Sequence, residues 1–179
     1  EIPLRLVGSE MCIRDRLVRS TMEKAKKLGL KVALDLSNFN IVNAFKGMLE
    51  DIIPKYVDIL FSNESEAEAF TGQKAAEAVH TLSELVEVSL VTLGKEGALI
   101  GSHGQFYSVP AEGGKPVDTT GAGDNFAAGF LYGQSIGASL VQSARIGSML
   151  AGYVIDVVGP EIPYDKWEQI KLKVKGILA

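Results

Sequence analysis

The sequence predicts an α/β protein built on a mostly parallel sheet, and three observations carry that expectation. Short apolar, β-branched runs alternate with amphipathic patterns of helical length, the order expected of βαβ units. Polar clusters at residues 37–40, 62–66 and 94–97 each follow a strand-like run. They therefore fall at the carboxyl ends of strands, where open α/β sheets bind ligands. At 179 residues, with 46% apolar and 22% charged side chains, the chain can bury one substantial core.

Residues 1–16 fit neither a helical nor a strand template. The run from Leu6 to Arg16 resembles a translated sequencing-adaptor read-through. Residues 1–16 are therefore read as a non-native lead-in rather than an ordinary extended one, and residues 17–179 as one native domain. Leu17, Met22, Ala25 and Leu28 recur among Lys and Arg in a helix over 17–28, ended by Gly29. Residues 31–36 have a nearly continuous apolar run and read as a buried strand. A helix over 41–53 stops at Pro54, a strand covers 57–61, and a short helix over 63–70 closes at Gly72. A helix over 75–86 and a strand over 88–93 follow. Residues 98–102 and 105–109 read as a hairpin across His103-Gly104. A Gly-rich loop over 110–116 leads to three helical patterns, 123–136, 140–157 and 164–178, the last two separated by Gly159-Pro160. Small residues Ala144, Ser148, Ala151 and Gly152 share one face of the second, explained by close helix packing.

Charge narrows the partners. A net charge of -4 and a pI near 5.3 argue against a nucleic-acid or anionic-membrane surface, but not against a nucleotide, which needs only a local phosphate site. A single cysteine, Cys12, excludes an internal disulfide and accords with a reducing compartment. No apolar run reaches the roughly 18 residues that span a bilayer, and no secretory signal is legible, so a cytoplasmic location is expected. His80 and His103 lack metal-ligand spacing and are expected at the surface. No Ser/His/Asp or Cys/His set is available.

The most informative stretch is Asp118-Thr119-Thr120-Gly121-Ala122-Gly123-Asp124-Asn125-Phe126. Two glycines precede a run of helix formers, so backbone N–H groups without intrahelical partners point at a helix start, a place suited to phosphate. An aspartate there also stabilises a helix by a few tenths to about 1 kcal/mol with no function at all. Phe126 stands where a dinucleotide fingerprint needs its third glycine, which disfavours an oxidoreductase, and no Walker A loop occurs. Asn63 with Glu66 reads either as a capping box or as a phosphate- and Mg²⁺-organising pair. Thr92-Leu93-Gly94-Lys95-Glu96-Gly97 reads either as a plain turn or as a loop whose backbone approaches a nucleotide.

Taken together, Asn63 with Glu66, Thr92 to Gly97 and Asp118 to Asp124 resemble, in order and spacing, the PfkB (ribokinase-like) family of small-molecule kinases. The runs 32–37, 53–61 and 63–67 look most like its adenosine-kinase-like branch. The resemblance implies a three-layer α/β/α fold and ATP-dependent transfer of the γ-phosphate to a nucleoside or sugar hydroxyl. Under it Asp124 is the catalytic base, and the N–H groups of Gly121, Ala122, Gly123 and Asp124 form an anion hole. Asn63, Thr92, Gly94 and Gly97 line the nucleotide site, Glu66 serves Mg²⁺, and Asp118 and Thr120 match positions that hold a monovalent cation, commonly K⁺. The family's Gly-rich N-terminal motif and small lid sheet are not matched. The expectation is a C-terminal portion that lacks the acceptor half, monomeric or homodimeric, with a non-catalytic nucleotide-binding module as the alternative.

Overall fold

The computed structural model describes residues 4–113 and 116–179, with side chains from Arg16 onward. Gly114 and Lys115 of the expected Gly-rich loop, residues 1–3 of the lead-in and the Cys12 side chain lie outside the described residues. The chain groups into two compact units, Glu1–Ser89 with Ser102–Gly104, and Leu90–Gly101 with Gln105–Ala179.

The first unit opens with α1 (Leu4–Lys27), which begins well before Leu17. No proline interrupts Leu4 to Lys27, and each residue added to an existing helix brings a hydrogen bond without a new nucleation cost. A short strand β1 (Ala33–Asp35) then pairs in parallel with β2 (Ile59–Asn63), setting Ala33 opposite Ile59, Leu34 opposite Leu60 and Asp35 opposite Phe61. The expected buried strand is thus shorter and more open than its apolar run implies: Ala33 and Asp35 are exposed and Leu34 is half-buried. The reason is position, since among the described residues β1 ends the strand order and pairs with one neighbour.

Helix α2 (Phe39–Tyr56) starts on Asn38, whose Oδ1 accepts from the N–H groups of Asn40 and Ile41, both at 3.0 Å. It does not stop before Pro54. The proline falls in the last turn, where only one backbone donor is lost, and the helix closes when the Val57 N–H donates to the Ile53 carbonyl at 3.1 Å. Val42, Leu49, Ile52 and Ile53 form its buried face. The helices α3 (Glu64–Thr71) and α4 (Ala75–Ser83) lead to β3 (Val88–Thr92), whose first residues belong to this unit. Within it the Val88 N–H donates to the Asp58 carbonyl at 3.0 Å.

Asp58 is the polar hub of the first unit. Its carboxylate accepts from Lys26 Nζ at 2.8 and 2.9 Å and from the Val32 N–H at 2.7 Å, with Lys31 Nζ 3.6 Å away. The group ties α1, the entry to β1 and the entry to β2 at one point. Burial pushes this carboxyl up, but Lys26, the Val32 N–H and Lys31 together outweigh burial and hold it below its ordinary value.

The end of β3 is followed by β4 (Ala98–Ser102) and β5 (Gln105–Val109), adjacent in the strand order and in the second unit except for Ser102. They match the expected hairpin to the residue. Positive φ at both His103 (47°) and Gly104 (75°) gives the turn that follows strand twist. Three helices complete the unit: α5 (Ala122–Ser135), α6 (Leu140–Ile155) and α7 (Trp167–Leu178). Helices α5 and α6 meet on glycine. A Cβ at Gly129 would lie 2.7 Å from the Gly147 Cα, and one at Gly133 would lie 2.5 Å from Ser143 Oγ. Ser139 and Gln142 form a capping box at the start of α6, and Gln142 Nε2 also donates to the Ile177 carbonyl at 3.1 Å, tying down the end of α7. Ile170 and Ile177 of α7 close the core against Ile146, Met149 and Leu150.

Because the Asp58 carboxyl is depressed in the fold, the unfolded chain takes up a proton first as pH falls. The stabilisation is therefore present above the unfolded carboxylate value, near ~4, and is lost as pH falls through the lower folded value. Asp58→Asn should cost about 1–3 kcal/mol in urea unfolding at pH 7, and the variant's stability should fall less steeply than the wild type's in acid.

Candidate functional site

The sequence-predicted cradle is the start of α5. Gly121 sits at the N-cap with φ 78° and ψ 3°, a left-handed conformation that glycine adopts freely, and a Cβ there would lie 2.8 Å from the Pro160 Cβ. The turn is closed by the Ala122 N–H donating to the Thr119 carbonyl at 3.2 Å and the Asn125 N–H donating to the Gly121 carbonyl at 2.9 Å. No side chain caps the helix. Among the described residues, the N–H groups of Gly123 and Asp124 consequently have no protein acceptor. Unsatisfied donors at the positive end of a 14-residue helix are the physical requirement for holding an anion. The Asp124 side chain stands exposed in the same first turn.

Gly123 and Gly97 are glycines for different reasons. Around Gly123 nothing lies within 4 Å of where a Cβ would be, so the fold itself makes no demand for glycine in this helical turn. The open space is the mouth of a cavity of about 420 Å³ lined by Thr92, Gly94, Gly97, Thr119, Ala122 and Gly123. A Cβ would narrow it. Gly97, in contrast, has φ 101°, and a Cβ there would fall on the Val109 carbonyl oxygen and 2.7 Å from the Pro110 carbonyl carbon. It is required because the turn after β3 lies directly against the end of β5. The Gly94–Glu96 turn is secured by the Leu93 N–H donating to the Gly97 carbonyl at 2.7 Å.

The opposite wall is a part of the site that sequence reasoning missed. Ser148 Oγ donates to the Pro110 carbonyl at 2.8 Å and accepts from the Glu112 N–H at 2.9 Å, while a Cβ at Gly152 would fall on the Glu112 carbonyl oxygen. The loop that follows β5 is thereby strapped to α6, and Glu112, Gly113, Ser148, Ala151 and Gly152 all line the cavity. Of the stripe read as helix packing, Ser148 and Gly152 face the loop instead, and the contact with α5 is made by Gly147 and Ser143, outside that stripe. A signal existed in the Gly-rich loop and the small residues, but nothing in the sequence paired them.

The cradle's supports are equally specific. Asp118 Oδ1 accepts from the Thr120 N–H at 2.9 Å and from Thr120 Oγ1 at 2.7 Å, and Oδ2 accepts from the Gly159 N–H at 2.9 Å. The Gly159 N–H, then the Thr120 N–H and hydroxyl, hold the Asp118 carboxyl below its ordinary value. An ionised carboxylate with an adjacent threonine is compatible with a monovalent cation, although here its oxygens serve the loop.

Asn63 and Glu66 lie in the first unit. The capping box is formed: Asn63 Oδ1 accepts from the Glu66 N–H at 3.0 Å and Glu66 Oε2 accepts from the Asn63 N–H at 2.8 Å. A further bond runs from Asn63 Nδ2 to Glu66 Oε1 at 2.6 Å. Glu66 is only 4% exposed. Burial pushes its carboxyl up, the Asn63 N–H pulls against that, and the charge of Asp35 adds to the rise, leaving it above its ordinary value. A buried carboxylate with a second carboxylate nearby is relieved by a cation, so the donor chemistry fits Mg²⁺. Among the described residues no group of three or more His, Cys, Asp or Glu side chains is placed to hold a metal by itself. His80 and His103 are exposed, as expected.

Residues 14–167 match the model of the pfkB family of carbohydrate kinases. The chain is 34% identical over 158 residues to an adenosine kinase of Saccharomyces cerevisiae, covering 80% of this chain and 46% of that protein. It superposes with a TM-score of 0.82 and 32% identity on a probable sugar kinase of Rhizobium etli CFN 42, covering 89% of this chain and 49% of the other. An adenosine kinase of Sinorhizobium meliloti gives a TM-score of 0.82 and 31% identity, over 88% of this chain and 49% of the other. The fold is therefore the three-layer α/β/α ribokinase-like fold with a mixed central sheet, as expected. The chain spans about half the length of the curated relatives it matches. No described helix is long and apolar enough to cross a membrane.

The two glycines should separate on substitution. Gly123→Ala should leave thermal stability unchanged or raise it by up to about 1 kcal/mol while weakening polyphosphate binding measured by calorimetry. Gly97→Ala should lose about 1–3 kcal/mol in the same denaturation assay.

Proposed function

The chain belongs to the pfkB family of carbohydrate kinases, and from that premise we propose that it is the ATP-binding, catalytic portion of a kinase that transfers the γ-phosphate to a hydroxyl of a nucleoside or sugar. The observation that carries this reading is the uncapped start of α5, with free N–H groups at Gly123 and Asp124, an open space over Gly123 and the Asp124 carboxylate in the same turn.

In this reading the polyphosphate of ATP occupies the cavity between the Gly94–Glu96 turn and the start of α5. Thr92, Gly94 and Gly97 contribute a wall in which backbone lies close to the ligand. The Asp124 carboxylate accepts the proton of the acceptor hydroxyl as its oxygen attacks the γ-phosphorus. Of the four N–H groups expected to form the anion hole, those of Gly121, Gly123 and Asp124 face the charge that develops on the transferred group, while that of Ala122 donates to the Thr119 carbonyl. Fixed donors need no reorganisation at that moment, which is the main way proteins accelerate phosphoryl transfer. Glu66 and Asn63 would hold Mg²⁺, directly or through its water, and Asp118 and Thr120 a monovalent cation such as K⁺; bound Mg²⁺ would neutralise phosphate charge.

Relatives named adenosine kinase support the adenosine-kinase-like branch, and those named sugar kinase and ribokinase keep both acceptor classes in view. The chain is read as the C-terminal portion of a longer protein, its native part residues 17–179 after a non-native lead-in, cytoplasmic and monomeric or homodimeric. Partial coverage of the relatives also favours a second reading, a nucleotide-binding module without turnover. Calorimetry of this chain with Mg·ATP, with and without candidate nucleosides and sugars, separates the two by acceptor-dependent ADP release.

In the full-length protein, Asp124→Asn should lower kcat by about 10²–10⁴-fold and leave ATP affinity nearly unchanged. Turnover close to wild type in that variant would remove Asp124 from the mechanism.

A further inference from the structure

The Asn125 side chain has an unusual pair of partners. Its Nδ2 donates to the Gly121 carbonyl at 2.9 Å and to the Pro160 carbonyl at 3.3 Å. Both acceptors are carbonyl oxygens, so only the amide NH₂ can face them, and both its hydrogens are used. The Gly121 carbonyl also accepts the backbone N–H of Asn125 at 2.9 Å. One residue thus closes the first turn of α5 twice and reaches out of it once. The reach is to the connection between α6 and α7, where Pro160 also limits Gly121 sterically, 2.8 Å from where its Cβ would stand.

From the other side, Asp118 Oδ2 accepts from the Gly159 N–H at 2.9 Å. Residues 118–121 are therefore seated at both ends on the dipeptide Gly159-Pro160. Everything the proposed chemistry needs, the N–H groups of Gly123 and Asp124 and the Asp124 carboxylate, lies between these two attachments or within one residue of them.

We infer that Asn125 is a positioning residue for phosphoryl transfer, which fixes the cradle against the Gly159-Pro160 corner without touching substrate. This rests on the functional reading given above. Asn125 holds the Gly121 carbonyl, and through it the left-handed turn, in the place that aims the two free N–H groups. Loss of the side chain leaves the turn's backbone bond intact and the exposed Pro160 able to meet water, so the fold survives while the aim of the cradle relaxes.

The test uses the full-length protein with Asn125→Ala, Asn125→Ser and, as reference, Asp124→Asn. Displacement of reacting groups by an ångström costs on the order of 10²-fold, so Asn125→Ala should lower kcat about 10- to 100-fold. The KM for ATP should change by less than about threefold, since ground-state binding is untouched. The shape of the pH–rate profile should be that of the wild type, because the base is still present, and Tm should move by no more than about 2–4 °C. Serine can still donate to the carbonyl four residues back, so Asn125→Ser should restore the Gly121 bond but not the Pro160 bond and give a kcat between alanine and wild type. If alanine does not fold, the serine variant alone decides: reduced kcat with wild-type Tm supports the inference, and wild-type kcat overturns it. A wild-type kcat for Asn125→Ala beside an inactive Asp124→Asn overturns the inference and leaves the kinase reading standing. Full turnover in Asp124→Asn overturns the reading beneath it.

Discussion

A helix that begins without a side-chain cap is locally incomplete, and the second unit is arranged around that incompleteness. A Ser, Thr or Asp at the N-cap of α5 would satisfy a donor and stabilise the helix by about 1 kcal/mol. Gly121 offers no such oxygen, and the N–H groups of Gly123 and Asp124 remain open. Helices α3 and α6 start on reciprocal caps, whereas α4, α5 and α7 start without a side-chain cap; α5 alone among these three starts on a left-handed glycine. The stabilisation forgone there is offset by neighbours: Asp118 and Asn125 hold the turn from outside, and the glycine contacts of α5 with α6 hold the helix from behind.

The same logic in reverse applies to Glu66. Its capping box is complete, yet its carboxyl is buried and lies near the charge of Asp35, so the ionised form is at a disadvantage in the protein alone. The start of α5 leaves N–H donors open beside Asp124, and α3 begins with a buried carboxyl near the charge of Asp35. An anion would relieve the first and a cation the second.

Much of this was legible in the sequence, and what was not has a common cause. The β4–β5 hairpin was read to the residue because alternation, a turn dipeptide and strand length all agree locally. The capping box of Asn63 and Glu66 and the glycine turn at Gly121 are also local, and they were legible for the same reason. Whether β1 is covered, what the small residues of α6 face, and where Asn125 reaches are set by partners distant in the chain. Asn125 in particular looks like an ordinary polar residue in a first helical turn until Pro160 is found beside it. Periodicity reports which side of an element is apolar and is silent about the neighbour.

The glycine seam between α5 and α6 has a consequence for how the cradle responds to heat and to sequence drift. At Gly129 and Gly147 the two main chains meet with no side chain between them. Such a contact has no rotamers to populate and no methylene to gain or lose, so it acts as a mechanical datum against which the start of α5 is gauged. Replacements elsewhere in the core can be absorbed by repacking, whereas any replacement at this seam must lift one helix bodily from the other. The position of the start of α5 is thereby decoupled from the softness of the hydrophobic core that surrounds it.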